Sequence, residues 1–189
     1  MKLSDARVLG YAALLLPLAG CAGDVLVELP VHEPRPGSPL AEAPAVECTL
    51  DVRPEEGAAI GGKRTTVGGV GMGAVEFAVP PSETLEALFR AELEAAGHRV
   101  TSGGAERALT VVVESFSART PATALYWDVT VEAAVALEPV GSRYEASSTD
   151  RTYSNPSGKM ITRLAEDCLG QLAAQFREDP AVATFLAEG

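Results

Sequence analysis

One stretch of this chain alternates between apolar and polar side chains over a length that a β-strand explains and a helix does not. The apolar residues are every second one from 125 to 137, namely Leu125, Trp127, Val129, Val131, Ala133, Val135 and Leu137. Polar residues such as Asp128, Thr130 and Glu132 lie between them. Because successive side chains of a strand point to opposite faces, the pattern predicts a long strand with one face in a core and the other in water. The chain must therefore build its core against one face of a sheet.

The residues before this stretch predict its first partner strand. Residues 109–117 are predicted to be the preceding strand, with Val111 and Val113 on its apolar face, and Pro121 marks a turn between the two strands. A hairpin centred there pairs Val113 with Val129 and keeps both apolar sets on one face, as a half-buried sheet requires.

The residues after the long strand predict a second partner, over 143–153. The intervening turn would place Tyr144 opposite Leu137 in the core and Arg143 opposite Glu138 outside it. The three strands would then form an antiparallel meander.

Two other segments have the apolar spacing of amphipathic helices. The first begins at Ser82 and ends at Gly97, which suits the left-handed position after a helix. The second begins near Ser157, and Pro180 opens a short terminal helix. The apolar stripes are Leu85, Leu88, Phe89, Leu93 and Ala96 on the first helix, and Ile161, Leu164, Cys168, Leu172 and Phe176 on the second.

Shorter segments complete the expected domain. Strands are predicted over 46–52 and 75–79, and the glycine-rich stretch 57–73 is predicted to be a loop or loose hairpin. This order of elements predicts an α+β fold, an antiparallel sheet with helices packed on one face as a two-layer sandwich. Residues 46–189 would form this single domain.

The N-terminal segment has the features of a bacterial lipoprotein signal peptide. Lys2 and Arg7 give a positive start, residues 8–18 are mostly apolar, and Leu18-Ala19-Gly20-Cys21 follows. Such a short run is poorly suited to span a bilayer as a helix, which needs about 20 residues. The pattern predicts removal of residues 1–20 and acylation of the new terminal cysteine; a non-lipoprotein signal peptide, or a buried helix with an incidental cysteine, is the alternative.

The residues after the cleavage site predict where the lipid anchor would place the domain. Ala22 follows Cys21, and the Asp that retains lipoproteins in the inner membrane of enteric-like systems is not there, so the outer membrane, facing the periplasm, is favoured. Residues 21–45 are predicted to be a stiff proline-rich tether, within which 24–29 could pair as a short edge strand. The prolines are Pro30, Pro34, Pro36, Pro39 and Pro44.

Charge and motif patterns argue against nucleic-acid and nucleotide binding. The formal net charge is −11, so cations that would neutralise phosphates are scarce. Residues 57–64 nearly match a phosphate-binding loop, but Arg64 replaces its Ser or Thr and no helix follows. Residues 69–74 match only the loosest dinucleotide pattern, with strand and proline after them. No cofactor is expected.

Catalytic and metal sites are not predicted either. The two histidines are His32, in the proline-rich segment, and His98, near a helix C-terminus where a cation is favourable. Neither has an evident nucleophile and orienting group. The predicted register brings Glu114, Asp128 and Glu132 together on the outer face, but a solvated acidic face is a simpler interpretation than a calcium site. The protein is therefore expected not to be an enzyme.

The same register places aromatic side chains on the outer face of the meander. Phe116 would lie opposite Tyr126, with Tyr153 nearby. These residues form either a surface that binds an envelope protein or a cross-strand cluster that stabilises the hairpin.

Two cysteines besides Cys21 fall at positions expected to face the core. Cys48 and Cys168 could form a disulfide in an oxidising compartment, or could be buried free thiols that fill space.

Several of these segments together resemble the YajG-like family of uncharacterised bacterial lipoproteins. The resemblance covers residues 75–187 and adds the lipoprotein box; residues 22–74 match less well. It implies a lipid-anchored envelope protein and transfers no catalytic residue. The segments are Pro81-Ser82, Gly97-His98-Arg99-Val100, Leu109 to Val113, Tyr126 to Leu137, Tyr144-Glu145-Ala146 and Asp179-Pro180-Ala181-Val182.

The sequence therefore predicts a lipid-anchored periplasmic module that binds or assembles with an envelope component. One alternative is an auxiliary lipoprotein subunit of an ABC-type envelope transport system, a group with a similar helix-and-meander layout. A third hypothesis is an enzyme that binds an anion through Lys63 and Arg64 in the glycine-rich stretch.

Overall fold

The computed structural model describes residues 23–35 and 37–188, and these residues form seven β-strands and three α-helices. The predictions of a signal peptide over 1–20 and of acylation at Cys21 lie outside the described residues. The strands are β1 (Val25–Val27), β2 (Glu47–Thr65), β3 (Gly71–Phe77), β4 (Arg99–Thr101), β5 (Arg107–Pro121), β6 (Trp127–Glu138) and β7 (Ser142–Thr152). The helices are α1 (Pro81–Ala95), α2 (Gly158–Glu178) and α3 (Pro180–Ala187), and a 3-10 helix spans Pro39–Glu42.

The strands form one mixed sheet in the order β1-β3-β2-β5-β6-β7, with β4 beside the start of β2. The meander β5-β6-β7 is antiparallel as predicted, but β2 runs parallel to β5 and β4, and β1 runs parallel to β3. The predicted all-antiparallel sheet is therefore wrong.

The predicted flat two-layer sandwich is also wrong, because the sheet curls into a half-barrel. Helix α2 contacts both β1 and β7, the two ends of the strand order. Six strands about 4.8 Å apart are about 24 Å across, whereas a helix with its side chains is about 10–12 Å wide. Helix α2 runs alongside β7, where Gln171 and Gln175 bind the backbone of Ser147 and Glu145. In that orientation only a sheet that bends around the helix can place both of its edges against α2.

The glycine-rich stretch is mostly strand. Strand β2 continues through it and pairs with β5 as far as Thr65 opposite Pro121. Gly62 is required there, because a Cβ atom at this position would lie 1.9 Å from the Ala118 carbonyl oxygen. The glycines thus permit close strand packing, and the expected loop is confined to residues 66–70, which join β2 to antiparallel β3.

The predicted register of β5 against β6 is wrong. Val113 lies opposite Val135 and not opposite Val129. Strand β5 continues to Pro121 because its last residues pair with β2, so the turn comes later than Pro121. A bulge between Val113 and Ser115 also adds one residue to β5, which reverses the faces of the residues after it.

The predicted register of β6 against β7 is shifted by two residues, so the faces are preserved. Tyr144 lies opposite Val135 and is buried, which confirms its predicted place in the core. Arg143 lies opposite Ala136, not opposite Glu138.

The helix predictions are confirmed, and every predicted stripe residue of α1 and α2 is buried. The hydroxyl of Ser157 caps α2 by accepting the Met160 N–H at 3.3 Å. The predicted N-cap at Ser82 is wrong, because α1 begins at Pro81, with Pro80 in the N-cap position and no side chain capping it. Gly97 follows the helix with a φ of 92°. Among the described residues, no helix has the length and apolar character needed to cross a membrane.

The N-terminal segment packs on the rest of the domain. The predicted edge strand is confirmed, since β1 pairs with β3 at the end of the sheet. Val27 and Leu40 are fully buried in the same core as the strands and helices. The described residues before 46 therefore contribute to the fold that they precede.

Cys48 and Cys168 are free thiols buried in that core. Burial raises the pKa of both thiols, that of Cys168 to about 12. In this structure both cysteines fill space as small apolar side chains do.

Candidate functional site

A polar cleft of about 770 Å³ lies between the N-terminal segment and helix α2. Residues 30–35 line one side and residues 166–177 of α2 line the other, with Ser148 of β7 between them. The lining carries both signs of charge, from His32, Glu33, Arg35, Glu166, Asp167 and Arg177. Such a cleft presents hydrogen-bonding groups to a polar ligand more than a surface to an apolar one.

A buried carboxylate joins the two walls of this cleft. Glu92 of α1 is fully buried, and its Oε1 lies 2.5 Å from Nε2 of His32. The same oxygen accepts a 3.2 Å hydrogen bond from Nη1 of Arg177. His32 and Arg177 are each only 12% exposed, so all three groups are largely shielded from water. The cluster fastens the N-terminal segment to α1 and α2.

The arrangement at Glu92 leaves one polar atom without a hydrogen bond among the described residues. Its second oxygen, Oε2, is buried and accepts none. A buried carboxylate is costly unless cations or donors face it, and here the Arg177 guanidinium and the His32 ring both contact a single oxygen. The geometry orients His32 and Arg177 in the cleft wall.

His98 is held by backbone groups. Its Nε2 donates to the Leu40 carbonyl at 3.1 Å, and its Nδ1 accepts the Val46 N–H at 3.4 Å. Its role is to tie residues 40–46 to the end of α1.

The predicted aromatic surface is divided by the bulge in β5. Phe116 is fully buried and packs edge to face on Phe77, with ring centroids 5.2 Å apart, so its predicted outward position is wrong. Tyr126 and Tyr153 do meet, with ring centroids 6.3 Å apart, and Tyr153 is 81% exposed. The guanidinium of Arg151 lies 3.7 Å from the centroid of the Tyr126 ring. Binding of a partner by these tyrosines stays a prediction.

The acidic residues of the outer face lie beside arginines. Glu114 accepts a 2.7 Å hydrogen bond from Nε of Arg143, and Asp128 accepts one of 2.9 Å from Nε of Arg151. Glu132 pairs with Arg119. The predicted contact of Glu114 with Asp128 depended on the wrong register. Within the described ranges, no group of three potential ligands is placed to hold a metal ion.

The two cationic residues of the glycine-rich stretch lie in different environments. Lys63 is exposed, whereas Arg64 is 4% exposed. Nη1 of Arg64 donates to the Gly23 carbonyl at 2.7 Å, and Nη2 donates to Oδ1 of Asn155 at 2.8 Å. Arg64 therefore binds the start of the described chain, and no joint anion site with Lys63 is formed.

One residue of the sequence, Glu92, could have indicated the buried cluster beside the cleft, although it lies within an apolar stripe. Glu92 lies on the same side of α1 as Leu88, Phe89 and Leu93, so a charged residue interrupts an otherwise apolar stripe. A charge at such a position is rarely buried without a partner. Its partners, His32 and Arg177, are distant in sequence and gave no local sign of the contact.

Comparison with known proteins gives a likeness in fold. No family model matches the chain, and no curated protein sequence matches it. A crystal structure from Xanthomonas campestris, a protein assigned to the DUF330 family, is 14% identical with a TM-score of 0.51, covering 84% of this chain and 96% of that one. The YajG-like resemblance thus stays a prediction, and the shared fold is that of an uncharacterised DUF330 protein.

Two further solved structures are more distant. An uncharacterised protein is 14% identical with a TM-score of 0.40, covering 82% of this chain and 97% of its own. A neuraminyllactose-binding hemagglutinin homologue from Helicobacter pylori is 9% identical with a TM-score of 0.44, covering 85% and 97%. At these values neither structure contributes to an inference about function.

Proposed function

We propose that this chain is a lipid-anchored protein of the bacterial cell envelope whose domain binds a partner and catalyses no reaction. The observation that carries the proposal is the Leu18-Ala19-Gly20-Cys21 box after a short apolar run. Acylation of Cys21 would hold the domain at the outer membrane, facing the periplasm.

The proposed binding site is the cleft between residues 30–35 and α2. Its mixed charges suit a polar, charged segment of an envelope protein. Glu92 holds His32 and Arg177 in place, so part of the wall is ordered before a partner arrives and less side-chain entropy is lost on binding.

The anchor is tested by replacing the acylated residue. Cys21→Ser should abolish incorporation of labelled palmitate and move the protein from the detergent-rich to the aqueous phase on phase separation. Ala22→Ser, next to it, is the matched control and should behave as wild type. Palmitate labelling of the Cys21→Ser protein at the wild-type level would refute the anchor.

The binding site is tested with photo-crosslinking residues in intact cells. Ala174, in the cleft, should crosslink to a defined envelope protein, while Glu94, exposed on α1, should not. Reversing the cleft charges with Glu166→Lys and Asp167→Lys should remove the crosslink from Ala174. Equal crosslinking from Glu94, or a crosslink that survives the charge reversal, would contradict a partner in the cleft.

A further inference from the structure

Four strongly exposed apolar or aromatic side chains lie in loops at one end of the sheet. Val67 is 65% exposed, Val70 is 67%, Leu125 is 77% and Tyr153 is 81%. Val67 and Val70 belong to the turn from β2 to β3, Leu125 to the loop from β5 to β6, and Tyr153 to the segment after β7. Among the described residues, the other exposed large apolar side chains lie outside these loops, at Leu26, Val31, Ile60 and Val79. Such side chains are usually scattered singly on a soluble domain, so a group of four at one end calls for an explanation.

Backbone pairing fixes these three loops as neighbours. Thr65 lies opposite Pro121 and its carbonyl accepts the Ala122 N–H at 2.8 Å, which joins the first loop to the second. Trp127 lies opposite Thr152, which joins the second loop to the third. We call the loops 65–73, 120–127 and 152–158 the uncharged rim, because none of them contains Asp, Glu, Lys or Arg.

The rim lacks charge although the chain as a whole is acidic. The formal net charge is −11, and at the opposite end of the sheet Glu106 precedes β5 and Arg107 begins it. A protein this acidic is repelled by an anionic bilayer wherever its carboxylates face it. An uncharged end with exposed apolar side chains avoids that repulsion and can lose water favourably on contact with lipid.

The described chain begins at this same end. The Gly23 N–H donates to the Met72 carbonyl at 2.9 Å, and the Gly23 carbonyl accepts from buried Arg64. A Cβ atom on Gly73 would lie 2.2 Å from that carbonyl oxygen, so the two backbones are in close contact. Cys21 precedes Gly23 by two residues, which span at most about 7 Å. A lipid on Cys21 would therefore enter the bilayer beside the rim.

We infer that the uncharged rim is a membrane-contact surface, in which Val67, Val70, Leu125 and Tyr153 enter the interfacial layer of the bilayer that holds the anchor. Tyrosine suits this layer because its ring is apolar and its hydroxyl can stay hydrated. The contact orients the sheet with its rim towards the lipid and its opposite end towards the periplasm. The inference rests on the anchor in the proposed function, which explains why this end meets a membrane.

The test uses the full-length lipidated protein in vesicles of phosphatidylethanolamine and phosphatidylglycerol. Trp127 is the single tryptophan of the chain, so the Trp127→Phe variant has no tryptophan fluorescence of its own. Val67→Trp and Leu125→Trp in that background place a reporter in the rim, and Ser102→Trp places one in an exposed loop at the opposite end. Acyl chains brominated near the headgroup quench tryptophan that enters the bilayer.

We expect the reporters at 67 and 125 to lose most of their fluorescence in brominated vesicles and the reporter at 102 to lose none. Protein that floats with the vesicles while its rim reporters stay unquenched would overturn the membrane contact and leave the anchor intact. Rim reporters that stay unquenched in vesicles while the detergent-solubilised protein sediments as a dimer would overturn the membrane contact and make the rim a protein interface. Protein that does not float at all would refute the anchor, and with it the proposal that depends on it.

Discussion

Gln175 of α2 binds the backbone of Glu145 in β7 through both ends of its side-chain amide. Nε2 donates to the Glu145 carbonyl at 2.8 Å, and Oε1 accepts the Glu145 N–H at 3.3 Å. One helical turn earlier, Gln171 makes the same pair of bonds with Ser147, at 3.1 and 3.4 Å. The spacings match because four helical residues advance about 6 Å and two strand residues about 6.6 Å. The amides thus occupy the place of a further strand at the open edge of β7.

Removing both amides should uncover that edge. Gln171→Met with Gln175→Met keeps the side-chain length but deletes the four hydrogen bonds to β7, leaving backbone groups of that strand without partners. We expect the free energy of unfolding to fall by about 1–3 kcal/mol and the protein to associate as its concentration rises. Urea denaturation and sedimentation velocity measure the two effects.

The matched control is Glu166→Met, which adds the same apolar side chain at an exposed position of the same helix. It should leave the denaturation midpoint and the monomeric state nearly unchanged. Unaltered stability and sedimentation of the double variant would contradict the role assigned to the glutamines.

The bulge in β5 makes a second prediction, because it adds one residue to an otherwise alternating strand. Deleting Glu114 removes the extra residue and preserves every later pairing, so Phe116 stays in the core. Its ion pair with Arg143 is exposed and contributes little. We expect the Glu114 deletion to fold cooperatively, with a loss of no more than about 1–3 kcal/mol.

Deleting Ser117 is the matched comparison, since it shortens the same strand by one residue beyond the bulge. If the bulge persists, Arg119 turns into the core; if the bulge closes, Phe116 turns out of it. Either outcome should prevent cooperative unfolding, as seen by near-ultraviolet circular dichroism on heating. Equal stability of the two deletions would show that the bulge does not set the faces of β5.

The same bulge explains how far the fold could be predicted from the sequence. Periodicity located the meander and both long helices, because each alternates or repeats over many residues on one face. Periodicity could not locate the one extra residue at Glu114, and one extra residue moves every later side chain of the strand to the opposite face of the sheet. Parallel pairing of β2 with β5 was equally hidden, since glycines such as Gly62 are typical of loops and here permit close packing.

The candidate cleft could not be predicted from local sequence patterns, for a different reason. Its walls come from residues 30–35 and α2, and its fixed point is Glu92, so three distant segments define it. Charge at one position of an apolar stripe indicates a buried partner but does not identify that partner. The lipoprotein box is the opposite case, a short contiguous motif that sequence alone suggests.

Asp179 connects the start of α3 to the core and makes the next prediction. Its Oδ1 accepts the Ala181 N–H at 2.7 Å as a helix cap, and its Oδ2 accepts from the Tyr144 hydroxyl at 2.7 Å. Burial alone would raise the pKa of Asp179. Hydrogen bonds from Ser142, Tyr144 and backbone N–H groups together lower the pKa by more than burial raises it, so the net shift is downward. The pKa of Tyr144 is raised mainly by burial and, to a smaller extent, by its hydrogen bond to the Asp179 carboxylate.

A carboxyl whose pKa is lower in the folded state stabilises the fold above its unfolded pKa, about 3.9. That contribution is lost as the pH falls from there through the folded pKa. Asp179→Ala should cost about 1 kcal/mol at neutral pH and should lose less stability than wild type on acidification. Urea titrations at several pH values measure this, with Asp167→Asn, on the exposed side of α2, as control; identical acid profiles for Asp179→Ala and wild type would refute it.

The buried cluster at Glu92 should be the most sensitive charged position in the described structure. Glu92→Gln removes the charge that faces His32 and Arg177 while keeping the shape, and we expect unfolding to become easier by about 3 kcal/mol. Glu94→Gln, exposed on the same helix, should change stability by less than about 0.5 kcal/mol. Hydrogen exchange of residues 31–35 should also accelerate in Glu92→Gln alone, because His32 loses its attachment to α1. If exchange there stays at the wild-type rate, the segment is held by contacts other than the His32–Glu92 pair.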